Sequence, residues 1–388
     1  MIKKIILIGF GLGLCFLLEI MAHWILPENE LNLLESIHTV CFEDNQLIWR
    51  QKKHLNTIFQ DKNVVTNSLG LRNDEILRKK QPDLLRIICL GGSSTFGWGV
   101  DVKDTYPVYL QNLLNKRLSS NKVEVINAGQ IGYTSYQGKL FLEKYLLDYN
   151  PDILTVSYVL NDIDKVRFFK NKKLSDSQVE ISEKHINIVE RYIIDKRIYF
   201  LAKRFVSFII KKNKKIAASI IRNQYENSRI RVSAEEYRDN LNQITFFCKK
   251  KNIKLIFIVM PINLALPCSY SQEQGIFLSE EYYNKAKKFE QEKDYNNAEL
   301  FYKKALDYQV FICRKNGNLF HEIMLRVAAE NNIPVINAAL VFKNYSQNNL
   351  MNLFNGPQDR IHPNPLGHGL IAEAIDECIK NENMLQIQ

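Results

Sequence analysis

From Leu84 onward, short apolar runs alternate with helix-like stretches, and this alternation restricts the fold more than any other feature of the 388-residue chain. The runs are "LLRIICLG" (84–91), "VEVINAG" (123–129), "DILTVSYV" (152–159), "IKLIFIVMP" (253–261) and "IPVINAA" (333–339). Helical patterns fall between them at Tyr106–Leu118, Ser135–Leu147, Ala234–Lys250 and Leu319–Asn331, with a closing helix over Pro365–Ile379. Continuously apolar strands belong to a sheet covered on both faces, and strand–helix alternation makes that sheet parallel. Asn364 as N-cap and Pro365 at the first helical position mark the start of the last helix. The pattern predicts one α/β domain over residues 84–382, carrying insertions at about 165–232 and 263–310.

The N-terminus has a different character. Lys3 and Lys4 precede an apolar stretch from Ile5 to Leu26, interrupted by Glu19 and His23, while Glu28, Glu30 and Glu35 follow it. That length suffices for a membrane-spanning helix, and the charge asymmetry orients it N-in, with the rest of the chain outside the cytoplasm. No A-x-A-like site closes the run, so residues 1–26 are expected to stay as an uncleaved anchor. Residues 27–83 then form a membrane-proximal segment.

The formal charge of +10 does not imply a nucleic-acid partner, because nine Lys and Arg and no acid fall within 196–222, leaving about +1 elsewhere. In that segment Ile198, Leu201, Phe205, Phe208 and Ile209 recur at helical spacing, giving a basic amphipathic helix. It is either a helix packed on the domain with a solvated face or one lying on an anionic membrane. The second insertion holds Ala286, Tyr295, Ala298, Tyr302 and Ala305 at the small/aromatic spacing of one tetratricopeptide-like hairpin. A single hairpin cannot bury its own faces as a solenoid does, so it is expected to pack on the domain. A protein partner at 279–308 is the alternative use. The seven cysteines contain no CxxC pair, and neither a zinc site nor a disulfide framework is signalled; Cys268 and Cys313 flank this insertion and could pair.

The chemistry concentrates in "LGGSSTFGWG", residues 90–99. A phosphate loop fails because Trp98 stands where lysine is required, and no third glycine completes a dinucleotide fingerprint. The G-x-S-x-G elbow is absent as well. Acyl transfer remains: Ser93 lies just past a strand end, where open α/β sheets place their ligands. In "DRIHPNPLGHG" (359–369), Asp359 precedes His362 by three residues, so one turn can bring its carboxylate to the imidazole. His362 then serves as base and Asp359 as its orienter. His368 falls on the following helix and is expected to be structural.

"GGSSTFG", "NAGQIGYTS", "VLND" and "DRIHPNPLGH" resemble, in order, the four blocks of the SGNH (GDSL-like) hydrolase family. The resemblance implies a flavodoxin-like three-layer fold, Ser93 as nucleophile, and an oxyanion hole from the Ser93 and Gly132 N–H groups and the Asn161 amide. It implies no metal and no cofactor. The family's Gly-Asp-Ser reads Gly91-Gly92-Ser93 here, which leaves triad and oxyanion residues in place. The chain is similar to membrane-anchored bacterial members with a tetratricopeptide-like insertion. The expectation is a serine esterase that removes an acyl group, acetyl foremost, from an envelope glycan or related ester. An O-acyltransferase using the same residues is the first alternative, and an idle fold binding a protein through the hairpin is the second.

Overall fold

Strands that are apolar along both faces need cover on both sides, and the helices provide it. The computed structural model describes residues 21, 39–118, 122–164, 173–179, 229–262, 273–306, 314–346, 350–355, 359 and 361–385. Two antiparallel hairpins come first, β1 (Cys41–Asp44) with β2 (Ile48–Gln51) and β3 (Asn56–Phe59) with β4 (Lys62–Val65). There follow β5 (Leu85–Gly91), α1 (Ser93–Phe96), α2 (Tyr106–Arg117), β6 (Val123–Gly129), α3 (Ser135–Phe141) and β7 (Ile153–Ser157). Next are α4 (Ala234–Lys250), β8 (Lys254–Val259), α5 (Glu273–Gln291) and α6 (Tyr295–Leu306). The chain closes with α7 (Arg314–Asn331), β9 (Val335–Asn337), α8 (Ala338–Ser346) and α9 (Pro365–Asn381).

The five central strands pair in parallel in the order β6-β5-β7-β8-β9. Counted along the sheet's own strands this is 2-1-3-4-5, the flavodoxin-like order, whose switch point lies beside β5. Successive side chains point to opposite faces. Ile88 and Leu90 therefore join a core under α3, α4 and α7, while Ile87 and Cys89 join another under α2, α8 and α9. The result is the expected three-layer α/β architecture.

The structure differs from the sequence reading in four places. Residues 27–83 are not a separate segment from Val40 on: Val40, Leu47, Trp49, Phe59, Val64 and Leu71 are buried in the first of the two cores. The strand expected at 333–339 stops at Asn337, whose Oδ1 accepts the Leu340 N–H at 3.0 Å and starts α8. The helix expected at Ser135–Leu147 is α-helical only to Phe141 and continues as a π-turn over Leu142–Leu146. The α5–α6 hairpin exists, but it keeps a small core of its own around Ala286, Ala298 and Tyr302, with Tyr295 at 38% exposure outside it. An ion pair of 2.6 Å between Glu299 and Lys343 joins this hairpin to α8.

The expected anchor Ile5–Leu26 (Met21 apart), the basic stretch 196–222, and Cys268 and Cys313 lie outside the described residues. Among the described residues no helix is long and apolar enough to cross a membrane.

Candidate active site

At the C-terminal end of β5 the chain passes through Gly91 and Gly92 into α1, a single turn closed by Gly97 in the left-handed region. Ser93, the first residue of that turn, is 8% exposed. Its Oγ lies 2.9 Å from His362 Nε2. On the other side of the ring, His362 Nδ1 lies 2.8 Å from Asp359 Oδ2 and 3.1 Å from Oδ1. Asp359 Oδ1 also accepts the N–H groups of Ile361 (3.0 Å) and His362 (2.9 Å), so the turn that carries the histidine orients the carboxylate too. A carboxylate can only accept, which assigns the proton to Nδ1 and leaves Nε2 to receive the Ser93 hydroxyl proton. Burial pushes the Asp359 carboxyl up, but the His362 ring and the two backbone N–H groups outweigh it and hold the group below its ordinary value. An ionised Asp359 stabilises the imidazolium that forms when Ser93 is deprotonated.

Asn161 follows β7, the neighbour of β5, and its Nδ2 donates to the Tyr133 carbonyl at 2.9 Å. The amide has a second N–H to offer. It sits close over the nucleophile turn, since a Cβ on Gly92 would stand 2.8 Å from Asn161 Nδ2. Gly132 follows β6 at the third position of a turn closed by the Tyr133 N–H to the Gln130 carbonyl, 3.2 Å. Its φ of +73° is the value a type II turn demands, and glycine reaches it without strain. Among the described residues the Ser93 and Gly132 N–H groups have no hydrogen-bond acceptor. Ser93, Asn161 and Tyr133 line one cleft of about 440 Å³, whose apolar wall includes Val159, Leu160, Ile258, Met260 and Ile361. His321 of α7 lines it as well. Burial pushes this imidazole down to about 4, and it has no hydrogen-bond partner among the described residues.

Several supports of the site were not found by sequence reasoning. Trp98 stacks on His362, with ring centroids 5.1 Å apart and planes 13° apart, and Phe59 of β3 packs edge-on against Trp98. Asn355 donates its backbone N–H to the His362 carbonyl (2.9 Å) and its amide to the Trp98 and Pro363 carbonyls (2.6 and 3.1 Å). Ser94 donates to the Ile361 carbonyl at 3.0 Å and so tethers the histidine loop, leaving Ser93 as the serine on the histidine. The fully buried Arg72 donates to the Phe96, Gly97 and Val100 carbonyls, fixing the nucleophile loop from the N-terminal segment. An aromatic between two glycines of the nucleophile loop, "FGWG", was the available signal for Trp98, and "NSLGLR" (67–72), similar to a segment of membrane-anchored members, was that for Arg72; Asn355 had none. His368 is fully buried, its Nδ1 accepting the Tyr106 N–H at 3.2 Å, and burial pushes it down to about 3. Among the described residues no group of three or more His, Cys, Asp or Glu is placed to hold a metal ion.

Residues 89–246 match the model of the GDSL-like lipase/acylhydrolase family. The match includes Ser93, Gly132 and Asn161; Asp359 and His362 lie beyond it and are brought to Ser93 by the fold. No curated protein matches the chain. Among solved structures it is similar to a lipase/acylhydrolase from Enterococcus faecalis at 14% identity and TM-score 0.41, covering 77% of this chain and 97% of that one. It is also similar to the acetyl xylan esterase AlAXEase at 16% identity and TM-score 0.42, covering 76% and 100% respectively. The match over 89–246 and the hydrogen-bonded Ser93–His362–Asp359 arrangement make this chain an ester-bond hydrolase.

Proposed function

We propose that the enzyme removes a short acyl group, acetyl foremost, from an O-acylated glycan or related ester of the cell envelope. The carrying observation is the Ser93–His362–Asp359 relay opening into a cleft shared with Asn161. Ser93 Oγ attacks the ester carbonyl as His362 takes its proton. His362 returns that proton to the departing alcohol, and water then resolves the acyl-enzyme by the same route. The apolar wall of Val159, Leu160, Ile258, Met260 and Ile361 beside Ser93 supports an acyl group as the part of the substrate that lies against it. A neutral His321 with no hydrogen-bond partner among the described residues, set in an apolar wall, supports a hydroxyl-bearing alcohol as the other half of the substrate.

The envelope location rests on the sequence: Lys3 and Lys4 before Ile5–Leu26, and acids after it, support a single N-in anchor with Ser93 outside the cytoplasm. The basic stretch 196–222 supports contact with an anionic lipid surface. The test is to purify the full chain in detergent, label it with a fluorophosphonate, and compare acetyl, butyryl and long-chain esters with an acetylated glycoside. Labelling on Ser93, loss of several orders of magnitude in turnover in Ser93→Ala, and preference for acetyl are expected. Labelling of Ser94, or full turnover in Ser93→Ala, would refute the mechanism. Preference for long chains would refute the substrate class.

A further inference from the structure

The oxyanion turn leaves one conformational question open. In a turn of this kind the central peptide, here Ile131 C=O with Gly132 N–H, can rotate to interconvert types I and II, and glycine at the third position offers little resistance. Because the peptide is planar and trans, its C=O and N–H point in opposite directions. Whatever holds the Ile131 carbonyl therefore aims the Gly132 N–H.

That carbonyl is held. Trp49 of β2, 9% exposed, donates its indole Nε1–H to the Ile131 oxygen at 2.9 Å. Indole has this one donor and no acceptor, so the bond tolerates only one orientation of the peptide. A flipped peptide would present its N–H to the indole N–H and leave both donors unsatisfied in a buried place, a costly arrangement. The next peptide is held as well: Arg231 donates Nη1 to the Gly132 carbonyl at 2.7 Å. The Arg231 guanidinium lies over the Trp49 ring, 5.2 Å from its centroid, and is paired with the buried Asp176 at 2.8 Å. Tyr133 returns to the same strand, its hydroxyl donating to the Trp49 carbonyl at 2.7 Å.

We infer that Trp49 is a positioning residue of the oxyanion hole: its indole N–H locks the Ile131–Gly132 peptide so that the Gly132 N–H faces the developing oxyanion. This rests on Gly132 being an oxyanion donor, as in the proposed function. Trp49 touches no substrate and acts through the peptide. Donation into the Ile131 oxygen also polarises that peptide, strengthening the Gly132 N–H as a donor.

The test replaces Trp49 in the full chain with benzothienylalanine by site-specific incorporation. This isostere keeps the ring volume and lacks the N–H; Trp49→Phe is the simpler companion. Three quantities are measured: kcat and KM for p-nitrophenyl acetate, the inhibition constant of an arylboronic acid that forms a tetrahedral adduct on Ser93, and the rate of fluorophosphonate labelling. For the isostere kcat should fall about tenfold, less than the ~10²–10³ typical of deleting an oxyanion donor. KM should stay within about twofold, while boronate affinity and labelling rate fall in step with kcat. Wild-type kcat and boronate affinity in a folded isostere would overturn the inference. Equal weakening of substrate and boronate binding would also overturn it, since that is what general loosening of the site produces. If the wild-type protein is labelled at Ser93 but cleaves no acetyl ester, the proposed substrate fails, and the labelling rate alone still decides the role of Trp49.

Discussion

At Asn161 the chemistry depends on tenths of an ångström. Its amide donates to Tyr133 and lies within 2.8 Å of where a Gly92 Cβ would be. Asn161→Ala should lower turnover by roughly 10²–10³, the usual loss for one oxyanion donor. Gly92→Ala should push the amide aside without removing it, and so should lower kcat by a smaller factor with KM little changed. Steady-state kinetics of both variants check this, and an unaltered Gly92→Ala enzyme would show that the amide has room. The next residue carries a different prediction. Asp162 is fully buried, with Oδ1 accepting the Ser135 N–H at 2.8 Å and Oδ2 without a partner among the described residues. Burial, partly opposed by the Ser135 bonds and Arg231, pushes its carboxyl up to about 7. The folded state then binds more protons than the unfolded state between about 4 and 7. Stability from this group is fully present below pH 4 and is lost as pH rises toward 7. Asp162→Asn lacks that loss, so its stability relative to the parent should grow from pH 4.5 to pH 7.5. The neutral half-buried His321 and fully buried His368 act in the opposite direction but are common to both proteins. Urea unfolding at the two pH values measures the difference, and a constant offset would refute it.

Among the elements, the β1–β4 hairpins and the α5–α6 hairpin behave in opposite ways. The first pair is tied into the active-site loops through Trp49, Phe59 and the nearby Arg72. Among the described residues the second has a small cluster at Ala286, Ala298 and Tyr302 as its core. Local stability follows buried apolar contact, so the two should open at different free energies. Native-state hydrogen exchange should find amides of 282–305 exchanging well before those of β5, with β2 protected as strongly as the central sheet. Equal protection of both hairpins would mean that α5–α6 has support beyond the contacts described.

For the whole molecule, the consequence is that the catalytic domain reaches back at least to Val40. A chain starting at Leu84 lacks Val40, Leu47, Trp49, Phe59, Val64 and Leu71 from the core over one sheet face, and the Arg72 bonds to three carbonyls of the nucleophile loop. Loss of several large buried side chains costs more than the stability typical of a whole domain. The 84–388 fragment should therefore fail to fold, whereas a fragment from residue 27 should fold and react with a fluorophosphonate. Circular dichroism and labelling of both fragments test this.

The sheet and its two helix layers could be read from the sequence because burial on both faces leaves a local imprint: apolar runs, helical spacing, and the Asn364–Pro365 start. The triad and oxyanion candidates were legible for a related reason, since short motifs sit at strand ends where the chain must turn. What the sequence did not disclose was the set of supports that reach these residues from elsewhere in the chain. Trp98 on His362, Asn355 beneath the histidine loop, and Trp49 and Arg231 on the two carbonyls flanking Gly132 join residues as far as 264 positions apart. Apart from Trp98, between Gly97 and Gly99, none of these partners has a periodicity or spacing to announce it. The short hairpins at 41–65 were missed because four-residue strands carry too little pattern, and Ile48, Gln60 and Asp61 adopt positive φ without the glycine that marks a turn. Local sequence determined which residues could perform the chemistry; tertiary packing decided their orientation, because only distant groups can hold a peptide plane or an imidazole ring in place.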